Sequence, residues 1–271
     1  WTNVDAQSLD CSRPYRQVLP SGNSIALFFY NGDISQQVAF HQLLGSGDAF
    51  ADELAKPLSK PANEPRLISI ATDGESYGHH HRFGEMALAR AFELLDEQGV
   101  TITNYASFLR EHPPTWEVQF LENSSWSCAH GIERWRSNCG CGSLGEVPSQ
   151  TWRKPLRETF DWVRSEINKY CDPIASELFT SPWDVRDNDL SGFDGRLRQP
   201  EDPKNHQRAT TWLNLQEALL RMDTSCGWFF GDLERLEPTK NIQYAHKALR
   251  LCAQLSGHSG EESFLMQLES I

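Results

Sequence analysis

Residues 67–92 read LISIATDGESYGHHHRFGEMALARAF, and this stretch decides the fold class. An apolar run of Leu67, Ile68 and Ile70 stops at two acids, Asp73 and Glu75, and an amphipathic run follows from Arg82. A short buried strand, a polar turn and a helix form half of a βαβ unit. In barrels and open α/β sheets, chemistry is placed just beyond the C-terminal ends of strands. Gly74 and Gly78 permit a tight backbone path there, and His79, His80 and His81 stand where a substrate would lie.

Working outward, residues 24–30 (SIALFFY) form a continuous apolar run, which predicts a strand covered on both faces. Residues 34–54 have a helical pattern broken near Gly45-Ser46-Gly47, and 56–65 carry three prolines and predict a loop. A strand at 67–72 precedes a helix from about 82 to 98, stopped by Gly99. A short strand at 100–103, a helical turn at 105–110 and a strand at 116–121 complete a β-α-β-α-β-α-β order, which predicts parallel strands.

Beyond Val147 the pattern changes. Trp152, Leu156, Phe160, Val163, Ile167 and Tyr170 recur at helical spacing with charges between them. Similar helices are expected at 207–222, 241–255 and 261–268, with a polar exposed loop at 184–205. The expected organisation is an α/β domain over 1–147 and a mainly helical domain over 148–271. Four parallel strands are too few for a closed barrel, and the first residue, Trp1, is not an initiator methionine. The missing strands are therefore expected before this chain. On that reading 24–30 is an unpaired apolar edge, and the isolated chain should self-associate.

A chain of 271 residues with a net charge of −12 disfavours phosphate backbones and anionic membranes, so neither nucleic acid nor membrane is an expected partner. No apolar run approaches the roughly 18 residues needed to span a bilayer. No basic and apolar leader pattern is visible, which points to the cytoplasm. Seven cysteines, an odd number, suit buried thiols or a metal site better than a disulfide scaffold. Nine tryptophans and fourteen phenylalanines fill cores, and flat indole faces also line sugar clefts.

Three constellations carry candidate chemistry. Asp73 at a strand end suits a general acid; alternatively Asp73 or Glu75 caps the next helix or pairs with Arg82. His79 and His81 are alternative metal ligands. The second constellation is 123–141, NSSWSCAHGIERWRSNCGC, expected on the same rim as Asp73. Cys128, His130, Cys139 and Cys141 either wrap a structural zinc or are buried thiols in a loop rich in Gly and Trp. Their C-x-H and C-x-C spacings are tighter than the usual gap of two to four residues. Trp126, Arg134 and Trp135 offer indole platforms and a fork of donors for a substrate. The third is 224–230, TSCGWFF, in which Trp228 closes onto the cleft or plugs two helices together. Cys226 has no assignable base and is not expected to be a nucleophile.

With these residues in view, ATDGESYGHHHRFGEMALA (71–89) resembles the fourth conserved region of glycoside hydrolase family 57, Asp-x-Glu-x-x-Gly followed by His or Trp. The resemblance makes Asp73 the general acid/base. SSWSCAHGIERW (124–135) resembles the fifth region, which implies glucan contacts for Trp126 and His130. The wording of 123–141, of TSCGWFFGDLE (224–234) and of QYAHKALRL (243–251) is similar to a bacterial subgroup with a helical domain after its barrel. The implied fold is the C-terminal part of a (β/α)7-type barrel followed by that domain. The implied activity is retaining cleavage or transfer of α-glucosidic bonds, with an α-glucan or oligosaccharide as substrate and no cofactor required.

The family's nucleophile, a Glu in a motif resembling Trp-Leu-Pro-Glu, and its earlier His-Gln-Pro have no counterpart here. A retaining mechanism needs two carboxyls about 5–5.5 Å apart across the sugar, and Glu75 shares the loop of Asp73 instead of facing it. The isolated chain is thus expected to be inactive and to require an upstream part of the same polypeptide or a complementary chain. In that reading Trp126 stacks on a sugar ring, and His79, His80 and His130, with Trp135 and Trp228, complete the substrate contacts. Two rivals stand beside it: a carbohydrate-binding or assembly module without catalysis, and a metal-dependent deacetylase-like α/β enzyme using Asp73, His79 and His81.

Overall fold

Leu19-Pro20-Ser21-Gly22-Asn23 turns the chain back on itself, and a hairpin forms that the apolar pattern does not announce. The computed structural model describes residues 9–59, 64–141, 149–188 and 196–271. Within them β1 (Pro14–Val18) pairs antiparallel with β2 (Ser24–Phe28), Tyr15 opposite Leu27. The turn is closed by Leu19 N donating to Asn23 O at 2.8 Å, with Gly22 at φ +84°. A two-residue β3 (Trp116–Glu117) joins the other side of β1 in parallel, giving the order β2-β1-β3. The chain is therefore α/β with a small mixed sheet, not the four parallel strands expected. Residues 24–30 correct the expectation in a second way: β2 lies at the sheet edge, paired on one side, and Ile25 is 47% exposed rather than covered.

Residues 67–72 form no strand and do not join the sheet. A strand needs a neighbour to hold its ladder, and here single groups stand in for one. Leu67 N donates to Ser12 O at 2.9 Å, Ser69 O accepts from Asn31 N at 2.7 Å, and Ala71 N donates to Ser35 Oγ at 3.0 Å. All three residues point to one edge. The other edge, offered by Ile68, Ile70 and Thr72, makes no backbone hydrogen bond among the described residues. Residues 100–103 likewise form no strand.

The helices follow local signals closely. Asn31 caps α1 (Gly32–Phe40) by accepting from Ile34 N, and Ser46 caps α2 (Gly47–Ala55) by accepting from Ala49 N. The break between them is the short 3-10 turn Leu43–Gly45. Helix α3 (Gly84–Glu97) ends at Gly99, whose φ of +75° needs no Cβ-bearing residue to be strained, and Val100 N returns to Leu95 O at 2.8 Å. Asn104 caps α4 (Tyr105–Glu111). Ile34, Val38, Leu44, Phe50, Ala51, Ala87, Ala91 and Leu95 form one core. Beside it lies an apolar cavity of about 940 Å³, lined by Leu54, Ile68, Ile70, Leu88 and Phe92 among others. Asp73 is not among its walls.

The chain divides into units of residues 1–122 and 123–271. The boundary expected at 147/148 lies outside the described residues, and 123–141 go with the second unit. Local bonds explain this: Arg134 donates to Phe229 O, and Arg157 donates to Trp135 O.

The second unit is helical, as its spacing predicts. In α5 (Arg153–Leu178) the buried positions Leu156, Phe160, Val163, Ile167, Cys171, Ala175 and Leu178 make one stripe at intervals of three and four. Pro173 removes one donor from its ladder without ending it. A short α6 (Pro182–Asp187) occupies part of the expected 184–205 loop, of which 189–195 lie outside the described residues. Asp202 caps α7 (Pro203–Arg221), with Pro203 at its first position. Then come α8 (Cys226–Phe229), α9 (Leu236–Ser256) and α10 (Glu261–Glu269). Trp212, Leu215, Leu219, Ala245, Leu249, Cys252 and Phe264 close the core against α5. All seven cysteines are free thiols. No helix among the described residues is long and apolar enough to cross a membrane.

Candidate functional site

In the first unit, Asp73 opens a single 3-10 turn, Gly74–Ser76, directly after residues 67–72. Its side chain makes no capping bond. Asp73 and Glu75 are both exposed, and among the described residues neither pairs with Arg82 or another cation. The structural role that the sequence left open for them, capping or pairing, is not the one they play. The backbone of the turn is bonded to itself. His80 N and His79 N donate to Glu75 O at 2.8 and 3.2 Å, Gly78 N donates to His81 O at 3.1 Å, and Gly84 N donates to the same oxygen at 2.9 Å. Tyr77 OH meets Thr72 Oγ1 at 3.1 Å. Ser76 is buried under the turn, and a Cβ at Gly84 would press on Leu44, Ser76 and Tyr77 within about 3.2 Å.

The three histidines separate. His79 and His80 are exposed, their rings edge to face at 5.0 Å. His81 is half-buried and its Nε2 lies 3.2 Å from Ala39 O. Asp73, His79 and His81 do not converge on a common point, which removes the geometric support for a metal centre built on them.

The second unit holds a different cluster. Cys128, His130, Cys139 and Cys141 bring their ligand atoms within 4.8 Å of one another. Cys128 Sγ and Cys141 Sγ are 3.8 Å apart, and Cys141 Sγ is 3.4 Å from His130 Nδ1. Arg153 Nη1 and Cys141 N both donate to Cys139 Sγ at 3.4 Å. Burial pushes the Cys139 thiol up, but the Cys141 N–H, Cys128 and the Arg153 charge more than offset it, so it lies below the ordinary thiol value. Cys141 lies above it, through burial first and then the bond to Cys128 and the charge of Cys139.

Among the expected substrate residues, only Trp126 presents an open indole, 56% exposed, tilted against Phe229 at 6.1 Å. His130 is exposed but committed to the cysteine cluster. Three assignments need correction. Trp228 is 0% exposed, stacked on Trp152 at 6.0 Å with Phe160 against its edge, so the TSCGWFF segment is an interhelical plug. Arg134 is buried and spends its guanidinium on Phe229 O and Ser127 O, both at 2.7 Å. Trp135 is half-buried against the helical core. Sequence reasoning missed Arg153, whose position three residues after Gln150 at a helix start gave no hint that it is fully buried beside Cys139.

Residues 2–119 match the family model described as glycosyl hydrolase family 57. The first unit is thus similar to glycosyl hydrolase family 57. Asp73 and its turn lie inside the match, whereas Trp126 and the cysteine loop lie beyond its end. Residues 149–271 match a domain of unknown function, DUF3536, so α5 to α10 form the helical domain that follows the family 57 unit. The fold is similar to the crystal structure of an exo-type maltose-forming amylase from Pyrococcus sp. ST04, with a TM-score of 0.65 at 14% identity. That likeness covers 99% of this chain and 53% of the other, so the chain spans about half the length of the solved structure. No curated protein sequence matches the chain.

Proposed function

We propose that this chain carries the acid/base portion of a retaining site acting on α-glucans, as the C-terminal part of a (β/α)7-type barrel followed by a helical domain. The observation that carries it is Asp73: an exposed carboxylate that pairs with no cation among the described residues, held on a self-bonded turn directly after residues 67–72, within the family 57 match. In the first step the Asp73 carboxyl gives its proton to the glycosidic oxygen as the C–O bond breaks. A second carboxylate forms the ester bond to the anomeric carbon. In the second step Asp73 takes a proton from water or an acceptor hydroxyl, which displaces that carboxylate. His79 and His80, exposed on the same turn, hold sugar hydroxyls.

The nucleophile comes from outside these residues. Glu75 sits two positions from Asp73 on one turn, and two neighbours on a turn do not oppose each other across a sugar ring. Two observations support a supply from elsewhere in a longer polypeptide. The chain spans 53% of its solved neighbour, and the edge of Ile68, Ile70 and Thr72 makes no backbone hydrogen bond among the described residues, as an edge that takes a further strand would.

The test compares the chain alone with the polypeptide that includes its native upstream coding sequence, on maltooligosaccharides. The expected result is turnover only in the longer form, with the first-formed product retaining the α configuration by NMR. Inversion of configuration, or glucan binding without turnover in the longer form, contradicts the reading. The second of these outcomes favours a carbohydrate-binding module.

A further inference from the structure

We propose that Cys128, His130, Cys139 and Cys141 form a closed structural zinc site that fixes the 123–141 loop to the start of α5. Four ligand atoms from three soft thiolates and one imidazole suit Zn²⁺, and a full set of four protein ligands leaves no open position for substrate.

The spacing fits the metal. A Zn–S bond of about 2.3 Å at a tetrahedral angle separates two sulfurs by about 3.8 Å, and a sulfur from a nitrogen by about 3.6 Å. The Cys128 and Cys141 sulfurs are 3.8 Å apart, and Cys141 Sγ and His130 Nδ1 are 3.4 Å apart. The same 3.8 Å is nearly twice a disulfide bond, so the pair is not an oxidised cystine. The backbone is shaped for the task as well. Gly140, between the two ligands of the C-x-C pair, has φ +71°. Gly131, next to His130, has φ +75°, and a Cβ there would lie 2.2 Å from Asn123 O. These left-handed turns set the backbone path that brings the four ligand atoms within 4.8 Å of one another.

An independent observation comes from Arg153. Its side chain is fully buried, and among the described residues it meets no carboxylate. Its partners are Gln150 Oε1, the carbonyls of Phe229 and Phe230, and Cys139 Sγ. A buried cation needs a counter-charge. Three thiolates and one Zn²⁺ carry a net charge of −1, which matches one guanidinium. Gln150, 0% exposed, completes the outer layer by donating to Cys141 O at 2.9 Å while accepting from Arg153. On binding, the three thiols release their protons to solvent as the Zn–S bonds form, with no change in oxidation state.

The site lies outside both family-matched segments and does not depend on the catalytic reading. The experiment is metal analysis of the full chain after saturation with zinc and desalting. About one zinc per chain is expected, falling at least tenfold in Cys139→Ser/Cys141→Ser and unchanged in Cys11→Ser/Cys226→Ser. The first double variant risks misfolding, so the wild-type chain is also loaded with Co²⁺. Thiolate-to-cobalt charge-transfer absorption with strong tetrahedral d–d bands is expected. A folded wild-type chain without zinc, zinc retained by Cys139→Ser/Cys141→Ser, or a cobalt spectrum without thiolate charge transfer each overturns the proposal.

Discussion

Asp73→Asn in the polypeptide that includes the upstream segment lowers kcat on α-glucan by about 10²–10⁴-fold, the range that a positioned proton donor contributes. Asparagine keeps the size and the hydrogen-bonding shape of the side chain but has no proton to give. Among the described residues the carboxylate makes no capping bond and no ion pair, so the fold is expected to be untouched. KM therefore changes little, and kcat carries the loss. Glu75→Gln is the matched control, since Glu75 lies on the same turn and also pairs with no cation among the described residues. Its effect is expected within a few-fold. Steady-state kinetics of the two variants check this, and equal losses would remove the special role of Asp73.

Trp228→Ala destabilises the helical unit by about 3–5 kcal/mol, the usual consequence of emptying a large aromatic site. At about 2–4 °C per kcal/mol for a unit of this size, unfolding moves down by roughly 10 °C. The indole is enclosed by Trp152 and Phe160, and the Arg157 guanidinium sits 4.2 Å from its centre. Its ring N–H is buried without a hydrogen-bond partner among the described residues, so Trp228→Phe retains packing while removing that donor and should lose much less. Thermal unfolding of both variants is the check. A Trp228→Ala protein with unchanged stability and weakened glucan binding would return the residue to a sugar-facing role.

How far the sequence could be read depended on how local the physics was. The α2, α3, α5, α7, α9 and α10 helices were legible because caps, glycine stops and stripes at three and four residues act within one segment. Residues 67–72 were not, because a strand exists only through its partner, and Leu67, Ser69 and Ala71 found single polar groups instead of a ladder. β1 was overlooked since Arg16 and Gln17 hide the alternation; Gln17 is buried because its Oε1 accepts from Phe120 N. The LPSGN turn was the signal that could have revealed it.

The site divides the same way. The Asp73 turn was readable from its glycines and acids. Trp228 and Trp126 sit in equally aromatic surroundings, and only packing separates the buried ring from the exposed one. The cysteine spacings looked too tight for a metal because the turns at Gly131 and Gly140 are a property of the folded backbone.

The most direct measurement compares Asp73→Asn with the unmodified full-length protein on two substrates, an α-glucan and an α-glucoside of an acidic phenol. The phenolate leaves without protonation, so the bond-breaking step no longer needs the Asp73 proton. The expected result is a loss in kcat/KM of about 10²–10⁴-fold on the glucan and of less than about tenfold on the aryl glucoside. Equal losses on both substrates, or none on either, would contradict Asp73 as the acid/base.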